Sequence, residues 1–319
     1  MNLGLVPLRK ALVYGANRLI SPLEELVGGD DGQPLAHRPL FVVGPPRSGT
    51  TLLSQSLAVA FDVGYLSNVH NALWGAPSLA ASILRAVGFA PQDDYRSNLG
   101  NTKAWLGHSE APNYWLRFLP ATPHYVSVAD VDPARLAGLR RAVRRLVHAS
   151  RKPFLFKTVV NTGRLGPIAA ALPEALFIVV WRDTVDIAHS LLEARKKTHG
   201  SYEPWWSLEP PGIAELRKRP TSEQVVEQVV RTYEHLAADR AAIGADRFFD
   251  VEYEALCDGP RATLREIQAF AGLEERDGVG VGAVPESFDR RREVRVPADL
   301  YESLAAYAAR RGEALRRSA

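Results

Sequence analysis

The sequence has almost no cysteine and no long apolar run, and both absences limit what the protein can be. Cys257 is the only cysteine among 319 residues, so no disulfide can form within the chain. This favours a reducing, cytoplasmic setting over a secreted one. No apolar run reaches the roughly 18–20 residues of a membrane-spanning helix, and the first residues lack the pattern of a signal peptide. We therefore expect a cytoplasmic protein without a transmembrane segment.

Metal-binding patterns and a strong charge of one sign are also missing. The sequence contains no H-x-x-x-H, no C-x-x-C and no cluster of carboxylates with the spacing of a metal site. Its formal net charge is only +3, and the basic residues are too evenly spread for a nucleic-acid-binding surface. These absences favour a protein that needs no metal, does not bind nucleic acid, and takes a small anionic ligand.

Short apolar runs alternate with helical stretches along most of the chain. Runs at 39–43, 154–157, 175–181 and 247–251 are typical of buried parallel strands. Apolar residues at helical spacing predict helices at 50–60, 132–149, 165–172, 186–197, 222–243 and 260–270. Strands that alternate with helices indicate an α/β fold of three layers, in which helices flank a central parallel β-sheet.

The two ends of the chain differ from this central part. Leucines at loosely helical spacing predict a helical extension over residues 1–38. We interpret it as an amphipathic helix packed on the main domain, with a membrane-surface or dimer contact as alternatives. Residues 39–275 are predicted to form the α/β domain. Residues 276–319 are predicted to be a basic C-terminal segment that packs on the same domain.

A glycine-bounded loop, GPPRSGTT at residues 44–51, lies between the first predicted strand and its helix. Successive backbone N–H groups at such a position form an anion site. The glycine spacing is that of a Walker A loop, but Thr50 stands where that motif has the lysine that reaches the β- and γ-phosphates. Arg47 instead places a cation inside the loop. The loop is therefore better suited to a shorter, di-anionic 5′ group than to a triphosphate.

A second candidate anion site follows the predicted strand that ends at Trp181. Arg182 lies at the strand end, and Ser190 lies two turns into the next helix. Both side chains can point to one pocket at the carboxyl edge of the sheet, where an arginine offers two donors to a phosphate. The alternative is a structural ion pair between Arg182 and Asp186 at the start of the helix.

The two motifs together resemble those of the sulfotransferases that use 3′-phosphoadenosine 5′-phosphosulfate (PAPS), a family with a P-loop-like fold. The resemblance rests on PPRSGTTLL at residues 45–53 and on the strand–Arg182–Ser190 unit with Asp186. It implies that Arg182 and Ser190 bind the 3′-phosphate of PAPS, whose desulfated product is 3′,5′-adenosine diphosphate. The residues that it implies for the 5′-phosphosulfate are Pro46, Arg47, Ser48, Gly49, Thr50 and Thr51.

Sulfuryl transfer requires cations near the bridging oxygen and a base near the acceptor hydroxyl. Arg47 is the first candidate cation, and Lys157, at the end of a predicted strand, is the second. The cytosolic branch of the family has Lys-Thr-His at this place, whereas Val159 stands here in place of the histidine. The base must then come from elsewhere. The candidates, in order, are Glu110, His108 and His70.

Several questions stay open at the level of sequence. The alternatives to a sulfotransferase are a P-loop kinase or nucleotide hydrolase, and a non-catalytic nucleotide-binding module. Trp205 and Trp206 are expected to stack on the adenine or the acceptor, or to form a packed lid. We favour a solvated basic face for Arg290–Arg292, with closure of the 3′-phosphate site as the alternative. Aromatic residues indicate a partly apolar small-molecule acceptor, and a sugar is also compatible. The oligomeric state is not predicted.

Overall fold

The computed structural model describes residues 5–27, 35–88, 95, 97–100, 102–290 and 293–318. Its sheet has five parallel strands in the order β2-β3-β1-β4-β5. The strands are β1 (Leu40–Val43), β2 (Gly64–Tyr65), β3 (Phe154–Lys157), β4 (Leu176–Trp181) and β5 (Phe248–Glu252). The predicted α/β fold with a central parallel sheet flanked by helices is confirmed.

Thirteen α-helices are found among the described residues, and their lengths range from four to 23 residues. They are α1 (Leu5–Ile20), α2 (Thr50–Ala60), α3 (Asn68–Ala72), α4 (Pro77–Ala86), α5 (Pro112–Trp115), α6 (Pro133–Ser150), α7 (Leu165–Ala171), α8 (Thr184–His199), α9 (Ile213–Leu216), α10 (Thr221–Ile243), α11 (Tyr253–Asp258), α12 (Pro260–Ala271) and α13 (Ala298–Ser318). Short 3-10 helices occur at Ser21–Leu26, Val128–Asp130, Val159–Gly163, Ala245–Arg247 and Val281–Ala283.

Strand β1 lies at the centre of the sheet and is buried on both faces. Successive side chains of a strand point to opposite faces, so Phe41 and Val43 pack in one core cluster and Leu40 and Val42 pack in the other. Helices α6 and α7 cover the first face, and α2 and α12 cover the second. Burial on both sides explains why the strands are continuous apolar runs.

The N-terminal helix α1 rests on the α3–α4 region through a few polar contacts. The Asn17 side chain donates to the Ala72 carbonyl at 3.0 Å and accepts from the Gly75 N–H at 2.7 Å. The buried Glu24 carboxylate accepts from the Ser78 N–H. The side chains of residues 11–16, 18 and 19 are exposed. None of the described helices is both long and apolar enough to cross a membrane.

The C-terminal segment ends in α13, which packs against α8 and α10. The hydroxyls of Ser303 and Ser222 lie 2.9 Å apart, and the Arg311 guanidinium donates to the Glu227 carboxylate at 2.7 Å. This helix was not predicted, because the sequence pattern of the segment indicated only its basic charge. The division into 1–38, 39–275 and 276–319 stays a prediction.

Candidate active site

The GPPRSGTT loop connects the carboxyl end of β1 to the first turn of α2, and its backbone depends on glycine at both ends. Gly44 has φ +153° and Gly49 has φ +105°, a range that favours glycine. A Cβ at Gly44 would lie 2.9 Å from the Val180 carbonyl oxygen, and a Cβ at Gly49 would clash with the Tyr253 ring. The loop is therefore held tightly against β4 and the start of α11.

Two polar groups at the loop lack hydrogen-bond partners among the described residues. The Ser48 hydroxyl is buried without one, and so is the Nε of Arg182, which lies beside the loop. A buried polar atom without a partner costs free energy. Both groups lie near the N-terminal end of α2, a helix of 11 residues. They are therefore suited to a bound anion.

Arg47 joins the two predicted anion sites. Its Nε donates to the Ser190 hydroxyl at 3.0 Å, and its carbonyl oxygen accepts from Arg182 Nη1 at 3.1 Å. The Arg182 guanidinium also lies over the Tyr253 ring, 4.3 Å from its centroid. The Arg182–Asp186 ion pair is longer, at 3.6 Å. The structure therefore places Arg47, Arg182 and Ser190 together, although about 140 residues separate the two motifs in the chain.

Lys157 and Glu110 form an ion pair beside the loop. Lys157 Nζ lies 2.9 Å from Glu110 Oε1 and donates to the Gly100 carbonyl at 3.2 Å. The Lys157 side chain is 2% exposed and the Glu110 side chain is 26% exposed. The Val159 N–H donates to Glu110 Oε2 at 3.4 Å, and the Thr158 hydroxyl donates to the Glu110 carbonyl at 2.8 Å. Strand β3 and the turn after it thus fix the carboxylate.

These groups converge on one point next to the loop. A Cβ placed at Gly100 would lie 3.6 Å from Thr51 Oγ1, 3.7 Å from Glu110 Oε1 and 3.8 Å from Lys157 Nζ. A hydroxyl of the loop, a carboxylate and an ammonium group therefore surround one position, each within 4 Å of it. An anionic substrate and a proton-transfer group can meet here.

A groove with two main cavities lies beside these groups; Thr51, Gly100 and Glu110 line the first cavity, whereas Lys157 lines neither. The first has a volume of about 340 Å³ and is lined by the loop, Glu110, Arg182, Trp206 and Tyr253. The second, of about 390 Å³, adjoins it at Arg47 and Arg182 and extends to Ser190 and the C-terminal segment. Each volume falls in the range of small-ligand sites. The groove is therefore large enough for a ligand that carries two separate anionic groups.

Comparison with known proteins identifies the family. A sequence profile described as the sulfotransferase family matches residues 39–277. The chain belongs to the sulfotransferase family. It is similar to omega-hydroxy-beta-dihydromenaquinone-9 sulfotransferase Stf3 of Mycobacterium bovis and of Mycobacterium tuberculosis, each 25% identical over 266 residues. The match covers 75% of this chain and 64% of the length of each relative, so the chain spans less than two thirds of the curated relatives that it matches.

Solved structures show the same fold. Sulfotransferase STF1 from Mycobacterium tuberculosis aligns with a TM-score of 0.52 and 20% identity, over 92% of this chain and 82% of that chain. Sulfotransferase STF9 from Mycobacterium avium aligns with a TM-score of 0.51 and 18% identity, over 93% and 72%. The resemblance inferred from the two motifs is therefore confirmed. The family match favours the sulfotransferase interpretation over the kinase and hydrolase alternatives.

His70 was predicted as the third candidate base of this sulfotransferase, and the structure contradicts that placement. His70 Nδ1 accepts the Ser67 N–H at 3.1 Å in a capping box at the start of α3. Its ring lines a separate cavity of about 80 Å³ that also includes Phe61 and Phe154. Burial lowers the pKa of His70 to about 4. The ring therefore has a structural position outside the groove.

His108 lies nearer the site but does not line the groove. The ring is buried, its Nδ1 lies 2.9 Å from the Ser54 hydroxyl, and it stacks on Tyr65 with centroids 4.0 Å apart. Burial, and secondarily the charge of Lys157, lower the pKa of His108 to about 3. Among the three candidate bases, Glu110 is the one whose side chain lines the groove.

Sequence reasoning missed Tyr253 and Arg295. Tyr253 directly follows β5 and lines both cavities, a position that the strand-end rule could have indicated. Arg295 lines the second cavity, and its backbone N–H donates to His189 Nε2 at 3.1 Å. No sequence pattern pointed to it.

The predicted aromatic and basic clusters divide between different roles. Trp206 lines the first cavity, whereas Trp205 stacks on Arg195, whose guanidinium carbon lies 4.8 Å from the ring centroid. Arg290 forms an ion pair with Asp258 at 3.0 Å, and residues 291 and 292 lie outside the described residues. In the parts of the chain that the structure describes, no group of three or more His, Cys, Asp or Glu side chains could hold a metal ion.

Proposed function

We propose that this sulfotransferase moves the sulfuryl group of PAPS to a hydroxyl of a small, partly apolar acceptor. The observation that carries the proposal is the Arg47 bridge between the phosphate loop and the Arg182–Ser190 site. Two anion sites joined in one groove suit a nucleotide with separate 3′ and 5′ anionic groups. A nucleoside triphosphate offers no anion to the second site.

The loop suits the 5′-phosphosulfate end of the donor. Ser48, Thr50 and Thr51 supply hydroxyls, the N-terminus of α2 supplies backbone N–H groups, and Arg47 supplies charge. Arg182 and Ser190 suit the 3′-phosphate, since a guanidinium forms charge-assisted hydrogen bonds with phosphate oxygens. The buried Nε of Arg182, which has no partner among the described residues, supports this assignment.

Glu110 and Lys157 are the proposed reactive pair. The acceptor oxygen attacks sulfur, the bond between sulfur and the bridging oxygen of the 5′-phosphate breaks, and the acceptor proton passes to the Glu110 carboxylate. The leaving phosphate oxygen gains negative charge, which Lys157 and Arg47 stabilise. The ion pair of 2.9 Å holds both groups in position before the substrates bind.

The acceptor class rests on the similarity to Stf3. That relative is named for a menaquinone-derived acceptor with a terminal hydroxyl, and it shares 25% identity with this chain. Trp206 and Tyr253 add aromatic surface to the first cavity, which favours an acceptor with an apolar part next to its hydroxyl.

Calorimetric titration with 3′,5′-adenosine diphosphate tests the donor. We expect micromolar binding that Arg182→Ala abolishes. Arg140→Ala, which removes a guanidinium paired with Glu174 on the surface, should bind normally. Incubation with PAPS and a long-chain alcohol, followed by mass spectrometry, then tests transfer. Tight binding of ATP·Mg²⁺ and none of the bisphosphate would refute the proposal.

A further inference from the structure

The N-terminal part of the chain exposes large apolar side chains. On α1 and the 3-10 helix after it, Leu12 is 66% exposed, Leu19 is 82% exposed and Leu26 is 79% exposed. Single exposed leucines are common on protein surfaces. Here, however, they recur along one segment that touches the domain through hydrogen bonds of Asn17 and Glu24 and a ring contact between Tyr14 and Trp74.

The neighbouring helix α4 also exposes apolar side chains. Glu24 ties the 3-10 helix to the start of α4, and Ile83 and Val87 at the far end of α4 are 53% and 71% exposed. We call these exposed side chains the N-terminal face; its members are Leu12, Leu19, Leu23, Leu26, Ile83 and Val87. A group of this size on neighbouring elements is typical of an interaction surface.

Basic residues accompany the N-terminal face. Residues 1–23 contain three basic and no acidic residues, at Arg9, Lys10 and Arg18. Glu24, the first acid, is buried and accepts backbone N–H groups. Helix α6, which packs on α4, contains no acid and exposes Arg135 and Arg141. Glu25 is an exposed acid within the 3-10 helix.

The N-terminal face also adjoins the acceptor side of the groove. The Tyr14 hydroxyl donates to Asn113 Oδ1 at 3.2 Å, and Asn113 follows Glu110 by three residues. Trp105 is 73% exposed on the loop between Gly100 and Glu110. Tryptophan is the side chain most typical of the lipid–water interface.

We infer that the N-terminal face binds the surface of an anionic membrane and holds the groove at the lipid–water boundary. Exposed leucines beside arginines are the combination that interfacial helices use, since apolar side chains insert while cations meet anionic head groups. A second copy of this chain is a poorer occupant. In a two-fold dimer the face would meet its own copy, which would bring like charges together.

Vesicle co-sedimentation tests the inference without donor or acceptor, so its result is independent of the proposed reaction. The probes are vesicles of equal parts phosphatidylcholine and phosphatidylglycerol, and vesicles of phosphatidylcholine alone. We expect binding to the first that weakens several-fold as salt is raised. The double variant Leu12→Asp/Leu19→Asp should bind at least about tenfold more weakly. Both side chains are exposed, so the variant should fold and bind 3′,5′-adenosine diphosphate normally.

A matched double variant provides the control. Val128→Asp/Val279→Asp changes two exposed valines, 44% and 36% exposed, outside the N-terminal face and should bind vesicles like the wild type. Arg141→Glu on α6, which leaves α1 intact, should weaken binding to the anionic vesicles about fivefold. Absence of vesicle binding, or equal binding by the two double variants, would overturn the inference. So would a dimer that Leu12→Asp/Leu19→Asp dissociates, which would identify a subunit interface.

Discussion

Replacement of Glu110 by glutamine should separate the chemical role of this carboxylate from its structural one. Glu110→Gln keeps the shape of the side chain and an acceptor oxygen, but it removes the negative charge opposite the Lys157 ammonium, which is 2% exposed. Loss of one partner of a buried ion pair costs about 3–5 kcal/mol. Because Glu110 is 26% exposed, we expect a free energy of unfolding lower by about 2–3 kcal/mol.

This change corresponds to a melting temperature lower by about 4 °C, since the entropy of unfolding is about 2.1 cal/mol/K per residue. Removal of the ammonium as well, in Glu110→Gln/Lys157→Met, should restore about half of the lost stability because no uncompensated charge remains. The two variants distinguish structure from chemistry, since both should transfer sulfate at least about 100-fold more slowly.

Differential scanning fluorimetry and a transfer assay measure the two effects on the same preparations. Binding of 3′,5′-adenosine diphosphate should change less than about threefold in Glu110→Gln, because this carboxylate is not part of the proposed phosphate sites. The double variant should bind the bisphosphate more weakly, because Lys157 is proposed to contact the leaving oxygen of its 5′-phosphate. Two results would refute the reasoning. One is a double variant that is no more stable than Glu110→Gln, and the other is a Glu110→Gln enzyme that retains wild-type turnover.

Three further predictions concern the loop, the C-terminal segment and a buried histidine. Gly49→Ala should weaken binding of the bisphosphate at least about 30-fold, because the positive φ disfavours alanine and the new Cβ would clash with the Tyr253 ring. Gly166→Ala should leave this binding unchanged, because the nearest atom to its new Cβ would be 3.7 Å away. Arg295→Ala should weaken that binding about threefold to tenfold, whereas Arg290→Ala, which breaks a pair with Asp258, should leave it unchanged. Burial lowers the pKa of His108 to about 3, so stability falls as pH drops below about 6.5, where the unfolded chain gains a proton that the folded protein excludes. Between pH 7 and pH 5 this histidine should lower the free energy of unfolding by about 2 kcal/mol. Chemical denaturation of His108→Gln at the two pH values should therefore show a decrease in stability that is smaller by about 2 kcal/mol. A pH dependence equal to that of the wild type would contradict the prediction.

The two anion motifs were predictable from sequence because each is local. A strand, a loop and the start of a helix form the first, and Arg182 and Ser190 are eight residues apart on a strand end and the helix that follows it. Their meeting at one edge follows from the parallel order of the strands. Lys157 was also predictable, since it ends β3 beside β1.

Other features depend on contacts between distant parts of the chain. The Lys157–Glu110 pair joins residues 47 positions apart, and no local pattern distinguishes Glu110 from a surface carboxylate. His70 was predicted as a candidate base because its sequence context did not indicate its hydrogen bonds with Ser67, which cap the start of α3. The edge strand β2 has two residues, which is too short for an alternating pattern.

The bridge between the loop and the second site has a consequence for selectivity. Since Arg47 donates to Ser190 and accepts from Arg182, hydrogen bonds connect the two proposed anion sites. A ligand held at one end presents its other anion at a high effective concentration to the second site. Removal of either phosphate should therefore reduce the binding free energy by more than half. Mononucleotides with a single phosphate would then be poor competitors even when they are abundant.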